Sequence, residues 1–137
     1  MWPARAVVRM SDLRVDLPWR TPPLRANDRR QWPARHRTFQ QALTEARWAV
    51  RAANLRPIVG ANATLHYRPA TRRTQDADGI APTLKPVLDA LVQEGVLPDD
   101  SWVCVPRTSQ EIHPPIKGEP SALWLTLSVL TEHQETP

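Results

Sequence analysis

Along this chain of 137 residues, apolar positions recur with two different periods, and each change of period marks a predicted element. Leu13, Val15 and Leu17 alternate with Arg14 and Asp16, the period of a short strand with one buried face. From Pro33 to about Asn54, the residues Phe39, Leu43, Ala46, Val50 and Ala53 fall on one helical face, with Arg37, Gln41, Thr44 and Arg51 away from it. A strand follows over Ile58 to Arg68, with Val59, Ala61, Ala63, Leu65 and Tyr67 on one face. Ile80, Leu84, Val87, Leu88, Leu91 and Val92 return to helical spacing. Pro86 is comfortable only in a first turn, so regular helix is expected from near Thr83, with Gly95 as its C-terminal stop. Trp102 to Ile112 reads as a strand, and Leu123, Leu125, Leu127 and Val129 alternate through a final one. Pro114, Pro115 and Gly118 suit a hairpin connection between these two.

The order β-α-β-α-β-β predicts a single α+β domain over residues 1–137, a mixed sheet of about four strands packed with two main helices. Residues 1–11 are expected to add a strand or form a ragged extension, and 131–137 a tail.

Charge adds little by itself. Lys and Arg number 18 against 14 Asp and Glu, a formal charge of +4, which permits a nucleic-acid partner without requiring one. Lys85 and Lys117 are the only lysines; a GC-rich genome produces such an arginine bias, and arginine also suits bidentate phosphate contact. Cys104, the only cysteine, reads as a small apolar strand residue between Val103 and Val105, which excludes an internal disulfide or a Cys-based zinc site. His36, His66, His113 and His133 lie far apart with no ligand spacing. No apolar run approaches the ~20 residues of a membrane helix, and MWPARAVVRMSDLR has no signal-type apolar core. A cytoplasmic location, no membrane partner and no organic cofactor are expected.

The informative stretch is TRRTQDADGIAPTLKPVLDALVQEGVLPDD, residues 71–100, where a basic chain gathers acids at both ends of one helix. Gly79 and Pro82 disfavour helix around Asp76 and Asp78, and in extended chain two such residues share a face roughly 6.6 Å apart. Two carboxylates there can converge on one hard cation, with positions left for water and phosphate. Asp99 and Asp100 lie beyond the helix; spacing allows them to stand apart from the first pair or to return beside it, and it equally allows turn-capping and loop acids. Lys85 and Asp89 form an i, i+4 pair, suited to a helical salt bridge or to a first-turn lysine facing phosphate. Arg68, Arg72 and Arg73, and likewise Arg29 and Arg30, suit either solvated surface or a backbone-phosphate clamp. Trp19, Trp32 and Trp48 suit base stacking or packing.

These motifs together resemble the RusA family of Holliday junction resolvases, common in phages and prophages. RRTQDADG, LKPVLDALVQEGV and PDD follow the family order of basic cluster, Asp-x-Asp-Asn, lysine, Asp-Ala-Leu helix and Asp-Asp. LPWRTPPLRANDRRQW resembles its Pro-rich approach loop with Asn27, and LHYRPATRR the strand leading into the acids. The resemblance spans about residues 13–130.

It implies a homodimeric, Mg²⁺-dependent endonuclease, with Mn²⁺ as a possible substitute, that cuts four-way DNA junctions by paired nicks leaving 5′-phosphates. By the same resemblance Asp76, Asp78 and Asp100 are the metal-binding acids and Lys85 the catalytic lysine. Asn27, Arg29, Arg30, Arg68, Arg72 and Arg73 then serve DNA. The dimer is expected through Trp124 or the other face of its strand, or through the strand near Val59 to Tyr67. Two departures stand out: Gly79 replaces the family asparagine, and about three extra residues separate Asp78 from Lys85. The rivals are an inactive junction-binding relative, another metal-dependent phage nuclease, and a structural phage protein with solvated acids.

Overall fold

The computed structural model describes residues 12–72 and 79–130. Four strands, β1 (Asp12–Leu17), β2 (Ala61–Arg68), β3 (Thr108–Ile112) and β4 (Ala122–Val129), form one mixed sheet in the order β1-β4-β2-β3. β4 lies antiparallel to both β1 and β2, and β3 runs parallel to β2 at the edge. Two helices, α1 (Trp32–Ala53) and α2 (Leu84–Gln93), complete the α+β domain.

Alternation puts Val15, Ala63, Leu65, Tyr67, Leu123, Leu125 and Leu127 on the covered side of the sheet. There they join Ala46 and Val50 of α1 and Val87, Leu88 and Leu91 of α2 in one apolar core. The intervening residues, among them Arg14, Thr64, His66, Trp124 and Thr126, lie on the opposite side, and most remain partly accessible. α1 has Pro33 in its first turn, where a missing N–H costs nothing, and ends at Asn54 in the left-handed region with φ 52°. A 3₁₀ turn, Ala81–Thr83, feeds α2 and leaves Pro86 in the first helical turn. Glu94 accepts from Arg47 Nε and Arg51 Nε, both at 2.7 Å, and so ties the end of α2 to α1.

Three expectations fail. Residues 102–107 are not strand: Cys104 N and Val105 N both donate to Ser101 O in a turn, Trp102 and Val103 are exposed, and Pro106 has no N–H for a ladder. Cys104 is therefore a turn residue. β2 starts at Ala61, and Val59 is exposed while Ile58 is buried, because Ile58 N donates to Val96 O rather than entering the sheet. Finally, β3 and β4 are not a hairpin. They flank β2 on opposite sides, so the connection between them crosses a whole strand.

The turn at Ser101 is held against the start of β2. Ala61 N donates to Cys104 O at 2.9 Å, and a Cβ added at Gly60 would lie 2.5 Å from that same oxygen. Gly60→Ala is accordingly expected to push the turn away and destabilise the fold by about 1–3 kcal/mol, read as a lower midpoint in urea unfolding. An unchanged midpoint would mean that the turn yields without cost.

Candidate metal and phosphate site

α2 exposes one basic residue, Lys85, on its first turn. Its Nζ donates to Asp100 Oδ2 at 2.6 Å and lies 2.9 Å from Asp89 Oδ1. Asp89 is there by helical spacing. Asp100 is there because the chain reverses: Gly95 takes a positive φ of 80°, Val96 N and Leu97 N both donate to Leu91 O, and both side chains are buried. With Val96 and Leu97 anchored, the next residues run back along the helix. Asp100 N donates to Asp99 Oδ1 at 2.8 Å, which makes Asp99 a local turn acid. The Asp100 carboxylate, above all, raises the Lys85 pKa above its ordinary value, helped by Asp89 and opposed by partial burial. Lys85 in turn holds the Asp100 carboxyl below its ordinary range.

Asp76, Asp78 and Arg73 lie outside the described residues. What precedes and follows them is defined. Gly79 O accepts from Ala26 N at 3.0 Å. Thr83 Oγ1 donates to Leu24 O at 2.7 Å and accepts from Leu24 N at 3.1 Å. The approach loop is thereby stitched to the segment leading into α2, and Asn27 and Arg29, both exposed, stand close in sequence to that seam.

Arg30 is committed to Asp28, with Nε–Oδ1 at 3.0 Å and Nη2–Oδ2 at 2.7 Å; these bonds hold the Asp28 carboxyl down at about 2. Arg68 lies on the helix-free side: its Nη2 donates to Pro120 O at 3.3 Å, and its guanidinium lies 5.9 Å from the Trp124 ring centroid. Arg72 is exposed. Of the tryptophans, Trp19 donates through Nε1 to Glu45 Oε1, whereas Trp32 and Trp48 are exposed. Trp32 stacks on His36, ring centroids 4.7 Å apart, beside an open cleft of about 410 Å³ lined by Arg25, Arg35, Phe39 and Pro82 among others.

A second cluster has no counterpart in the sequence reading. His66 of β2 and His113, just past β3, approach with Nδ1 and Nε2 2.9 Å apart. Glu111 Oε2 lies 3.1 Å from His66 Nδ1 and 3.7 Å from His113 Nε2. Residues 66 and 113 are 47 apart in sequence, and only the parallel β2–β3 pairing joins them, so no local spacing signals the group. Burial pushes the His66 pKa down, while Glu111 pulls it the other way. Trp124, one of the candidate dimer contacts, is half-buried against both imidazoles and under Arg14.

Among the described residues no helix is long and apolar enough to cross a membrane. No family model and no curated protein matches this chain.

Proposed function

We propose that the chain is a Mg²⁺-dependent, structure-selective DNA endonuclease of the RusA type, which resolves four-way junctions by paired nicks. One observation carries the reading: Lys85 and Asp100, fifteen residues apart, meet at 2.6 Å on the early part of α2, the end of the helix that follows Asp76 and Asp78 in the chain. Spacing alone left open whether Asp100 returned there.

The donor chemistry fits the metal. Asp89 and Asp100 already share one cation, the Lys85 ammonium, and carboxylate oxygens are the ligands Mg²⁺ favours. In this reading Asp76, Asp78 and Asp100 hold the ion, which when bound supplies an activated water and neutralises charge on the phosphate. Lys85, whose side chain is largely exposed, exchanges a carboxylate for a phosphate oxygen in this reading and offsets charge as it develops. Asn27 and Arg29 contact the backbone from the approach loop. The Trp32–His36 stack with Arg35 gives an aromatic and basic surface of the kind that receives unpaired bases. Asp28 already pairs with Arg30, so that guanidinium is less available for phosphate than its neighbour. The homodimer is part of the proposal, since a two-fold pair of sites nicks opposite strands of a symmetric junction.

The test incubates the purified chain with a synthetic four-way junction and with matched linear duplex, with and without Mg²⁺. Symmetric nicks bearing 5′-phosphates, on the junction only and with Mg²⁺ only, are the expected result, from a species that sediments as a dimer. Binding without any nicking would favour an inactive junction-binding relative. Equal cutting of linear duplex would indicate a nuclease of another class.

A further inference from the structure

The helix-free side of the sheet holds ligand-type side chains that the proposed nuclease chemistry does not use. In the β2–β3 register His66 stands opposite Glu111. His113 N donates to Tyr67 O at 2.8 Å, which extends the ladder and fixes His113 beside them. Three potential ligand atoms converge there: His66 Nδ1, His113 Nε2 and Glu111 Oε2, separated by 2.9, 3.1 and 3.7 Å; a bound ion would displace the proton that the two imidazoles now share in a hydrogen bond. Donors bound at ~2.0–2.1 Å to a tetrahedral ion lie roughly 3.3–3.4 Å from one another. The observed separations bracket that value.

The surroundings orient the donors. His66 Nε2 meets Thr126 Oγ1 at 2.8 Å. A hydroxyl that accepts there keeps the proton on Nε2 and turns the Nδ1 lone pair toward the other two donors, the outer-shell arrangement typical of metal-bound histidine. Trp124 lies parallel to the His66 ring, centroids 5.1 Å apart and planes at 0°, and so holds its plane. Glu111 is exposed and His113 partly so, which leaves room for water as a fourth ligand.

We propose that His66, Glu111 and His113 form a binding site for a divalent transition metal, Zn²⁺ by preference. Two imidazoles and one carboxylate suit zinc, whereas Mg²⁺ seeks oxygen ligands and octahedral geometry. The set has the composition and open position of a water-bearing zinc centre. The bound ion also pins β3, an edge strand paired on one side only, to its neighbour. Arg14, 4.8 Å from the Trp124 centroid, adds positive charge that opposes cation binding, so the site is expected to be exchangeable by chelators. All three ligands come from one chain, and the site does not depend on the nuclease reading.

The test dialyses chelator-stripped full-length protein against micromolar Zn²⁺ in millimolar Mg²⁺. One zinc per chain is expected, with a higher melting temperature, and Co²⁺ in its place should give the intense visible absorption of tetrahedral coordination. Glu111→Gln and His113→Ala should each weaken zinc binding at least tenfold, whereas Asp100→Asn should bind as the wild type does. No zinc retained in the presence of Mg²⁺ would overturn the site, as would equal retention by Glu111→Gln and wild type. If His113→Ala unfolds, Glu111→Gln decides, because its exposed side chain leaves the core untouched. Loss of zinc in Asp100→Asn with retention in Glu111→Gln would move the metal to the acids of α2 and overturn this site alone.

Discussion

Asp100→Asn is expected to stay folded and lose Mg²⁺-dependent nicking of a four-way junction. Partners that only orient a metal ligand typically cost ~10–100-fold when removed, and a direct ligand is expected to cost at least that much. Unfolding will not account for the loss. The Lys85–Asp100 pair has a largely exposed lysine, and such pairs contribute about 0–1 kcal/mol. Lys85 depresses the Asp100 pKa in the folded chain. The stabilisation is thus present above the unfolded carboxyl pKa and disappears as pH falls through the folded one. Wild type and Asp100→Asn should differ slightly in melting temperature at neutral pH and converge in strong acid. Junction binding should persist or tighten, since one negative charge near phosphate is gone. Wild-type nicking rates from Asp100→Asn would remove this residue from the proposed chemistry, and Asp76→Asn and Asp78→Asn are expected to behave as it does.

Thr83→Val is expected to destabilise the fold by about 2–6 kcal/mol, from two buried groups left unpaired at ~1–3 kcal/mol each. Thr83 is fully buried, and its hydroxyl both donates to Leu24 O and accepts from Leu24 N. Valine fills the same volume and satisfies neither. For a chain of this size the melting temperature should fall by roughly 6–24 °C. Thr83→Ser keeps both bonds and loses one methyl, so it should recover most of the difference. Because this residue stitches the approach loop to α2, Thr83→Val should also weaken junction binding at temperatures where the chain remains folded, whereas Thr83→Ser should not. Equal stability of the serine and valine variants would show that the hydroxyl is not the cause.

The two helices and the alternating strands were legible in the sequence because burial of one face imposes a local period. Phe39 to Ala53 and Leu84 to Leu91 repeat at helical spacing, and Leu123 to Val129 at strand spacing, whatever lies opposite. Lys85 beside Asp89 was equally local. The turn at 101–104 was misread because Val103 and Val105 mimic a strand face; Pro106 was the available signal against it.

What the amino-acid sequence determined by itself was the set of elements and the acidic and basic residues around α2. Tertiary structure decided which of them meet. Alternation records that a strand has a buried face but not which strand lies beside it, so the order β1-β4-β2-β3 was not readable. The return of Asp100 to Lys85 depends on the reversal at Gly95 and on the burial of Val96 and Leu97, since a flexible chain of that length could equally have ended elsewhere. The convergence of His66, Glu111 and His113 exists only because β3 pairs parallel to β2 in one register. A slip of one residue would turn Glu111 to the opposite face.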